Sequence, residues 1–296
     1  MSKIITRICG GLGNQMFIYA AAKSLSERLN IPLFVDSKSA YINYYYKHNF
    51  ELDIYNINFN NANKLESINF RFGRYVRFLI RKFPFLLNPF GIKYIFEDHI
   101  NNNILDVSDR NKILLLEGYW QNEVFFKDVS EILKKEFTFK IDISEQSRKL
   151  AEKIQSKKNS VCIHARRLYG QPASDNVLPS NNGIDVSYYL NSIDKIKNSL
   201  SDVHFYCFSD YPQWFKENLP LDENYTIVDL HNYSDDNTFE DFWLMTQCKH
   251  FIISNSTFSW WAAWLSEREN TIIIAPGNQY WSSKNIVPER WISSIN

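Results

Sequence analysis

Three short polar clusters follow apolar runs in the second half of the chain: His164-Ala165-Arg166-Arg167, Ser209-Asp210 and Ser254-Asn255-Ser256-Thr257. Their residue types suit one kind of ligand. Paired guanidiniums are planar forks of donors that match the oxygens of a diphosphate. A turn of Ser, Asn and Thr ahead of a helix leaves backbone N–H groups at the helix start, where a phosphate is favoured. An aspartate beside them could accept from ribose hydroxyls or from the N–H edge of a guanine. Structural roles compete at each position. One arginine could form a salt bridge, and Asp210 could cap a helix beginning near Pro212. The Ser/Thr turn could do no more than cap its own helix. Trp260, Trp261 and Trp264 recur at helical spacing, and for these we take the packing reading.

Regular elements must place these clusters. From residue 160 onward, strand patterns at 161–165, 204–208, 225–230, 251–254 and 271–275 alternate with helical patterns at 186–200, 212–219, 239–248 and 258–267. Alternation of this length predicts a parallel, doubly wound sheet. Ligands bind at the carboxyl ends of such strands, so all three clusters should gather along one edge.

The first half opens with a strand at 3–9, the turn GGLGNQ, a helix at 16–29 and a strand at 31–35 ending at Asp36. The glycines permit either close backbone approach to a ligand or a tight turn. Gly11-x-Gly13 followed by Asp36 partly matches a dinucleotide fingerprint, with Met16 where the third glycine belongs. An NAD(P)-dependent oxidoreductase using this unit therefore stands as a rival reading. A further strand at 113–116 leads into Glu117-Gly118-Tyr119-Trp120-Gln121, and helices are predicted at 127–137 and 144–157. We place the domain boundary at 158, giving domains 1–158 and 159–296.

Residues 41–110 show little periodicity. The aromatic cluster at 41–46 suits either a sugar site or a core. Residues 70–87 set Arg71, Arg74, Arg77, Arg81 and Lys82 among aromatic and aliphatic side chains. Such a face lies on an anionic membrane surface, or it is a packed helix with a solvated basic side.

The 33 basic and 33 acidic residues cancel, which argues against a nucleic-acid partner. The 296 residues call for one large or two medium domains. Cys9, Cys162, Cys207 and Cys248 are scattered without a C-x-x-C pair and read as free thiols of a reducing cytoplasm. Residues 1–7 lead straight into the glycine turn and lack a signal-peptide pattern. No D-x-D occurs. Arginines with a helix N-terminus can stabilise a leaving diphosphate without a metal, so the residues describe a metal-independent transferase with a nucleoside-diphosphate donor.

The longer motifs carry a resemblance. GGLGNQMF (10–17), EGYWQ (117–121), H-x-R-R (164–167), FSDYPQWFKENL (208–219), CKHFIISNSTFSWWAAWL (248–265) and Pro276 followed by Trp281 occur in that order. With them the chain resembles the bacterial α-1,2-fucosyltransferases of glycosyltransferase family 11. The resemblance implies an α/β fold of the GT-B kind, with two Rossmann-like domains facing a cleft. The first would be the acceptor side and the second the GDP-fucose side. It also implies inverting transfer of L-fucose to O2 of a β-galactoside, without metal or other cofactor, in O-antigen or other surface-glycan synthesis. Catalytic residues would be Arg166 on the diphosphate, His164 supporting its loop, and Asn14. The donor would be bound by Gly11, Gly13, Asn14, His164 and Arg166, and by Asn255, Ser256, Thr257, Phe258 and Ser259. Arg167, Ser209 and Asp210 join them from the strand-end reading.

Where the family commonly reads His-x-Arg-Arg-Gly-Asp-Tyr, this chain has Leu168, Tyr169 and Gly170. The usual aspartate is missing, so no role is carried over to this position; Asp175 and Asp185 are candidates to compensate. Three general-base candidates stand side by side: His164, Asp36 and Glu117. A non-catalytic glycan-binding protein would share the aromatic richness, but it has no reason to cluster arginines with a helix N-terminus. The expected setting is the cytoplasm, with loose contact at the inner membrane face.

Overall fold

The computed structural model describes residues 2–41, 48–63, 74–99, 113–168, 184–230, 238–283 and 285–294. Most of the 41–46 aromatic cluster, Arg71 and Asp175 lie outside them, as do the side chains of Arg74 and Arg77. The chain divides into two compact units, Met1–Ile141 and Asp142–Asn296.

In the first unit, strands β1 (Lys3–Arg7), β2 (Leu33–Asp36), β3 (Asn60–Asn61), β4 (Ile92–Phe96) and β5 (Ile113–Glu117) form a sheet of order β3-β2-β1-β5-β4. Every pairing is parallel. Helix α1 (Leu12–Leu29) follows β1, and α2 (Arg74–Lys82) precedes β4. The predicted strand at 31–35 begins later than expected. Pro32 has no N–H to donate; its carbonyl accepts from Ile4 N at 3.0 Å, and the ladder starts at Leu33 opposite Ile4. The helix expected at 127–137 is a 3-10 turn, Lys127–Val129, followed by α3 (Ser130–Glu136).

The second unit holds β6 (Asn159–Ala165), β7 (Val203–Ser209), β8 (Tyr225–Ile227), β9 (His250–Ile252), β10 (Ile273–Pro276) and β11 (Ile292–Ser294), in the order β11-β10-β9-β6-β7-β8. These strands are also all parallel. Its helices are α4 (Glu145–Ser156), α5 (Val186–Ser199), α6 (Gln213–Asn218), α7 (Thr238–Met245) and α8 (Thr257–Ser266). Near-continuous apolar runs such as Cys162-Ile163 and Phe205-Tyr206-Cys207-Phe208 are buried, as expected of a parallel sheet covered on both faces. Trp260, Trp261 and Trp264 are core: all three are buried, and Trp260 Nε1 donates to Ile286 O at 2.9 Å.

The units part at 141/142, so the sequence boundary at 158 leaves α4 on the wrong side. A buried carboxylate explains where α4 belongs. Glu240, in the first turn of α7, accepts from Ser144 N at 3.1 Å and from Ser144 Oγ at 2.6 Å, and also from Ser147 Oγ. Three donors satisfy the buried charge and clamp the start of α4 to the second unit.

Candidate functional site

In the second sheet the chain runs from β6 outward through β7 and β8, then returns to β9 on the other side of β6. Ligand crevices open at such reversals, beyond the carboxyl ends of the strands. The residues at this one are 164–168, at and just past the end of β6, and 253–256, after β9.

Side chains alternate along β6. Val161, Ile163 and Ala165 join the core with Tyr188, Tyr189 and Trp214. His164 takes the opposite face, where its Nδ1 pairs with Ser254 Oγ at 2.9 Å. Both are buried, so one bond joins the two strand ends at the reversal. Burial, and then the nearby Arg166 guanidinium, push the His164 imidazole down to about 3. It is neutral at physiological pH and a poor proton acceptor, which removes it as a general base. Its bond to Ser254 ties the end of β6, just before Arg166, to the segment after β9.

The depressed His164 value has a consequence for stability. An unfolded chain protonates this histidine near pH 6.5, whereas the folded chain holds it neutral to about 3. Its contribution is therefore complete above about pH 6.5 and is lost as pH falls from there toward 3, by up to ~1.4 kcal/mol per pH unit. His204 and His250 are also lowered, so the readout is a difference. Urea unfolding at pH 7, 6 and 5 should show a flatter decline for His164→Gln than for the parent; equal slopes would exclude the effect.

Asp210, just past β7, organises the neighbouring loop. Its Oδ1 accepts from Arg167 N at 2.8 Å and its Oδ2 from Leu168 N at 3.0 Å. Oδ2 also faces Arg166 Nη1 at 3.1 Å. The Asp210 side chain is 4% exposed, whereas that of Arg166 is 31% exposed. This corrects the expectation that Asp210 reads ribose or guanine: its carboxylate holds the loop and aims the arginine. It is no helix cap either, since α6 has none from a side chain. Ser209 is used internally as well, with its Oγ donating to Ala165 O at 2.6 Å and accepting from Tyr211 N at 3.0 Å.

The two arginines divide their roles. Arg167 turns into the protein: its guanidinium lies over the Trp214 ring at 4.8 Å and donates to Ile184 O at 3.1 Å. Arg166 keeps a partly exposed guanidinium at the strand ends. Asp185 does not replace the missing loop aspartate; it caps α5, accepting from Ser187 N at 2.8 Å.

Helix α8 begins at Thr257 with Ser256 as N-cap, and Ser256 makes no side-chain cap bond. Phe258 lies by His164, with ring centroids 6.1 Å apart, and Ser259 Oγ donates to Ser256 O at 3.2 Å. Asn255 Nδ2 donates to Tyr280 O at 3.0 Å, tying the turn to 278–280.

The first unit has its own reversal, between β1 and β5. Gly10 has φ +78°, and a Cβ there would stand 2.8 Å from Asn14 Nδ2, so this position requires glycine. Gly11 is the N-cap of α1, and Gly13 lies inside the helix. Asn14, in the first turn, accepts through Oδ1 from Gln121 Nε2 at 2.7 Å. That bond links the start of α1 to the loop after β5. Buried Gln15 completes the frame: Nε2 donates to Gly10 O at 2.9 Å and Asn49 O at 2.7 Å, and Oε1 accepts from Glu51 N at 2.9 Å. Local pattern assigns no role to Gln15 or Gln121, and it places Ser254 only in the phosphate turn rather than against His164. The available signal is a polar residue directly after an apolar strand or glycine turn.

Asp36 is buried at the end of β2, and its Oδ1 accepts from Lys38 N and Ser39 N at 3.1 and 3.0 Å. It makes a local turn and is only 2% exposed, which counts against both the general-base and the dinucleotide readings. Glu117, at the end of β5, keeps a side chain 21% exposed beside Arg7 and Tyr94. It is the base candidate with the most open carboxylate.

Comparisons with known proteins bear on the family and the fold. The family model described as "Glycosyl transferase family 11" matches residues 3–293. The chain is 33% identical to an alpha-1,2-colitosyltransferase of Escherichia coli, covering 99% of each chain. It is 27% identical to the O-antigen biosynthesis glycosyltransferase WbnK of Escherichia coli, covering 97% of this chain and 98% of that protein. A crystal structure of NodZ alpha-1,6-fucosyltransferase soaked with GDP-fucose superposes with a TM-score of 0.56 at 13% identity, covering 96% and 98% of the two chains. That likeness, with two parallel-sheet α/β units, gives the GT-B fold. The family match includes the Gly10 turn and Asp36, so the oxidoreductase reading is set aside. With the family model matching nearly the whole chain and a 33% identical relative covering 99% of each chain, the chain belongs to glycosyltransferase family 11.

Proposed function

We propose that the chain transfers L-fucose from GDP-fucose to O2 of a terminal β-galactoside, with inversion and without a metal, in the synthesis of an O-antigen or a similar surface glycan. The observation that carries this reading is Arg166, held by Asp210 at the strand reversal and partly exposed. The donor diphosphate would lie against Arg166 and the start of α8, where a helix N-terminus favours phosphate. In the reaction the acceptor oxygen attacks C1 of the sugar. The bond from C1 to the phosphate oxygen breaks, its electron pair leaves with GDP, and the acceptor proton passes to a carboxylate base or to water. Arg166 would neutralise the charge that grows on the diphosphate, a large electrostatic effect in a site of low polarity. The resemblance to α-1,2-fucosyltransferases supports the sugar and the linkage, and the name of WbnK supports the surface-glycan setting.

A second donor is favoured by a specific observation. The 33% identical relative is named for colitose, which lacks one hydroxyl of fucose. The same Arg166 site would serve a GDP-colitose donor. Calorimetric titration with GDP, UDP and NAD in the presence of EDTA should show binding of GDP alone. Transfer to a β-galactoside from GDP-fucose and GDP-colitose then decides the sugar. Preference for UDP, or loss of GDP binding in EDTA, would refute the donor site. Transfer from GDP-colitose alone would refute fucose while leaving the site intact.

A further inference from the structure

The segment from α2 to β4 exposes apolar surface to a degree found nowhere else among the described residues. Phe78, Phe85 and Phe90 are 62%, 60% and 75% exposed, and Leu79, Phe83 and Leu86 are exposed beside them. The other large apolar side chains of this class, Tyr119, Tyr280 and Ile292, are scattered. The exposed set is not loosely attached. Ile80 is buried and Leu87 packs beside it on a core of Ile5, Tyr94, Phe96 and Leu115. Phe78 precedes Ile80 by two residues, about 200° around a helix, and so faces away from that core. The 3-10 run Pro84–Phe90 ends at Gly91, φ +68°, which turns the chain into β4 and leaves Phe90 outward.

Charge points to what covers this face. Between Glu66 and Glu97 the sequence has no acidic residue, while Arg71, Arg74, Arg77, Arg81, Lys82 and Lys93 are basic, in a chain whose total charge is zero. Arg81 pairs with Asp98, so part of this charge is offset. Lys82 stays exposed, its Nζ over the Phe83 ring at 5.7 Å. Aromatic and aliphatic side chains flanked by cations match an anionic bilayer, where rings enter the headgroup boundary and cations meet lipid phosphates. A second copy fits less well, because a symmetric contact would set the basic residues against their own counterparts. The helix is far too short to span a bilayer, and no described helix is long and apolar enough to do so.

We propose that the face formed by Phe78, Phe83, Phe85, Leu86 and Phe90 docks on an anionic phospholipid surface, with Lys82 contacting the headgroups. This deepens the proposed function, because a glycan built on a lipid carrier is presented at such a surface. The test needs neither donor nor acceptor.

The purified full chain is sedimented with phosphatidylcholine vesicles, and with vesicles that also carry about 30% phosphatidylglycerol. Binding to the anionic vesicles is expected, falling as salt rises. The variant Phe78→Ser/Phe85→Ser/Phe90→Ser is expected to bind at least about tenfold more weakly. Its melting temperature and GDP affinity should be unchanged, since the substituted side chains lie in solvent. Absence of binding to anionic vesicles at low salt, or equal binding by the variant, would overturn the proposal. So would a dimer in light scattering that the variant makes monomeric, since the face would then be an interface between copies. GDP titration of the same samples reports separately on the donor site.

Discussion

Arg166→Ala is expected to lower transfer by about a hundred- to a thousandfold while the protein stays folded. The size follows from losing one preorganised donor at the position where leaving-group charge develops. The fold should tolerate the change because this guanidinium is 31% exposed and Asp210 keeps two backbone N–H donors without it. A partly exposed ion pair contributes about 1 kcal/mol at most. Arg166→Lys should recover only part of the activity, since an ammonium is a point charge and cannot present a planar fork to two phosphate oxygens. Measuring kcat/KM together with thermal melting separates the two effects. Near-normal turnover in a folded alanine variant would remove Arg166 from the donor site.

Asp210→Ala should damage stability and donor binding together. Removing the carboxylate leaves the N–H groups of Arg167 and Leu168 without this acceptor and Arg166 without this counter-charge. Leaving buried donors unmatched costs about 1–3 kcal/mol, and breaking a buried charged pair costs about 3–5 kcal/mol. Because Arg166 is partly solvated, we expect a loss of about 3 kcal/mol in urea unfolding and at least a tenfold loss in GDP affinity. Asp210→Asn should fall between, since one oxygen can still accept while the amide nitrogen opposes a second N–H. The pattern across both positions is diagnostic. Arg166→Ala loses affinity with little loss of stability, and Asp210→Ala loses both. An Asp210→Ala protein that binds GDP normally would show that the loop needs no such anchor.

Much of this site is legible in the order of the residues. The apolar runs around 163, 206 and 252 mark buried parallel strands because both sheet faces are covered. The polar residues ending those runs fall at the carboxyl ends by topology alone. The positions of His164, Arg166 and the turn before α8 therefore follow from local pattern, as does the packing of Trp260, Trp261 and Trp264. The ordered motifs also identify the family, since they extend through most of the chain.

What the tertiary structure alone decided were the partners. Asp210 meets residues 166–168 across more than forty residues of sequence, Ser254 meets His164 across ninety, and Gln121 meets Asn14 across 107. Nothing in the local pattern of either member specifies the other, so Asp210 read as a ligand group and Arg167 as a second phosphate donor. The same limit hid the ownership of α4, which depends on Glu240 nearly a hundred residues away. It also hid the exposure of Phe85 and Phe90, because a phenylalanine in sequence looks the same facing a core or facing water. Strand and helix follow from short-range periodicity and solvent preference. Which polar groups satisfy one another, and which apolar ones remain uncovered, is set only when distant segments pack.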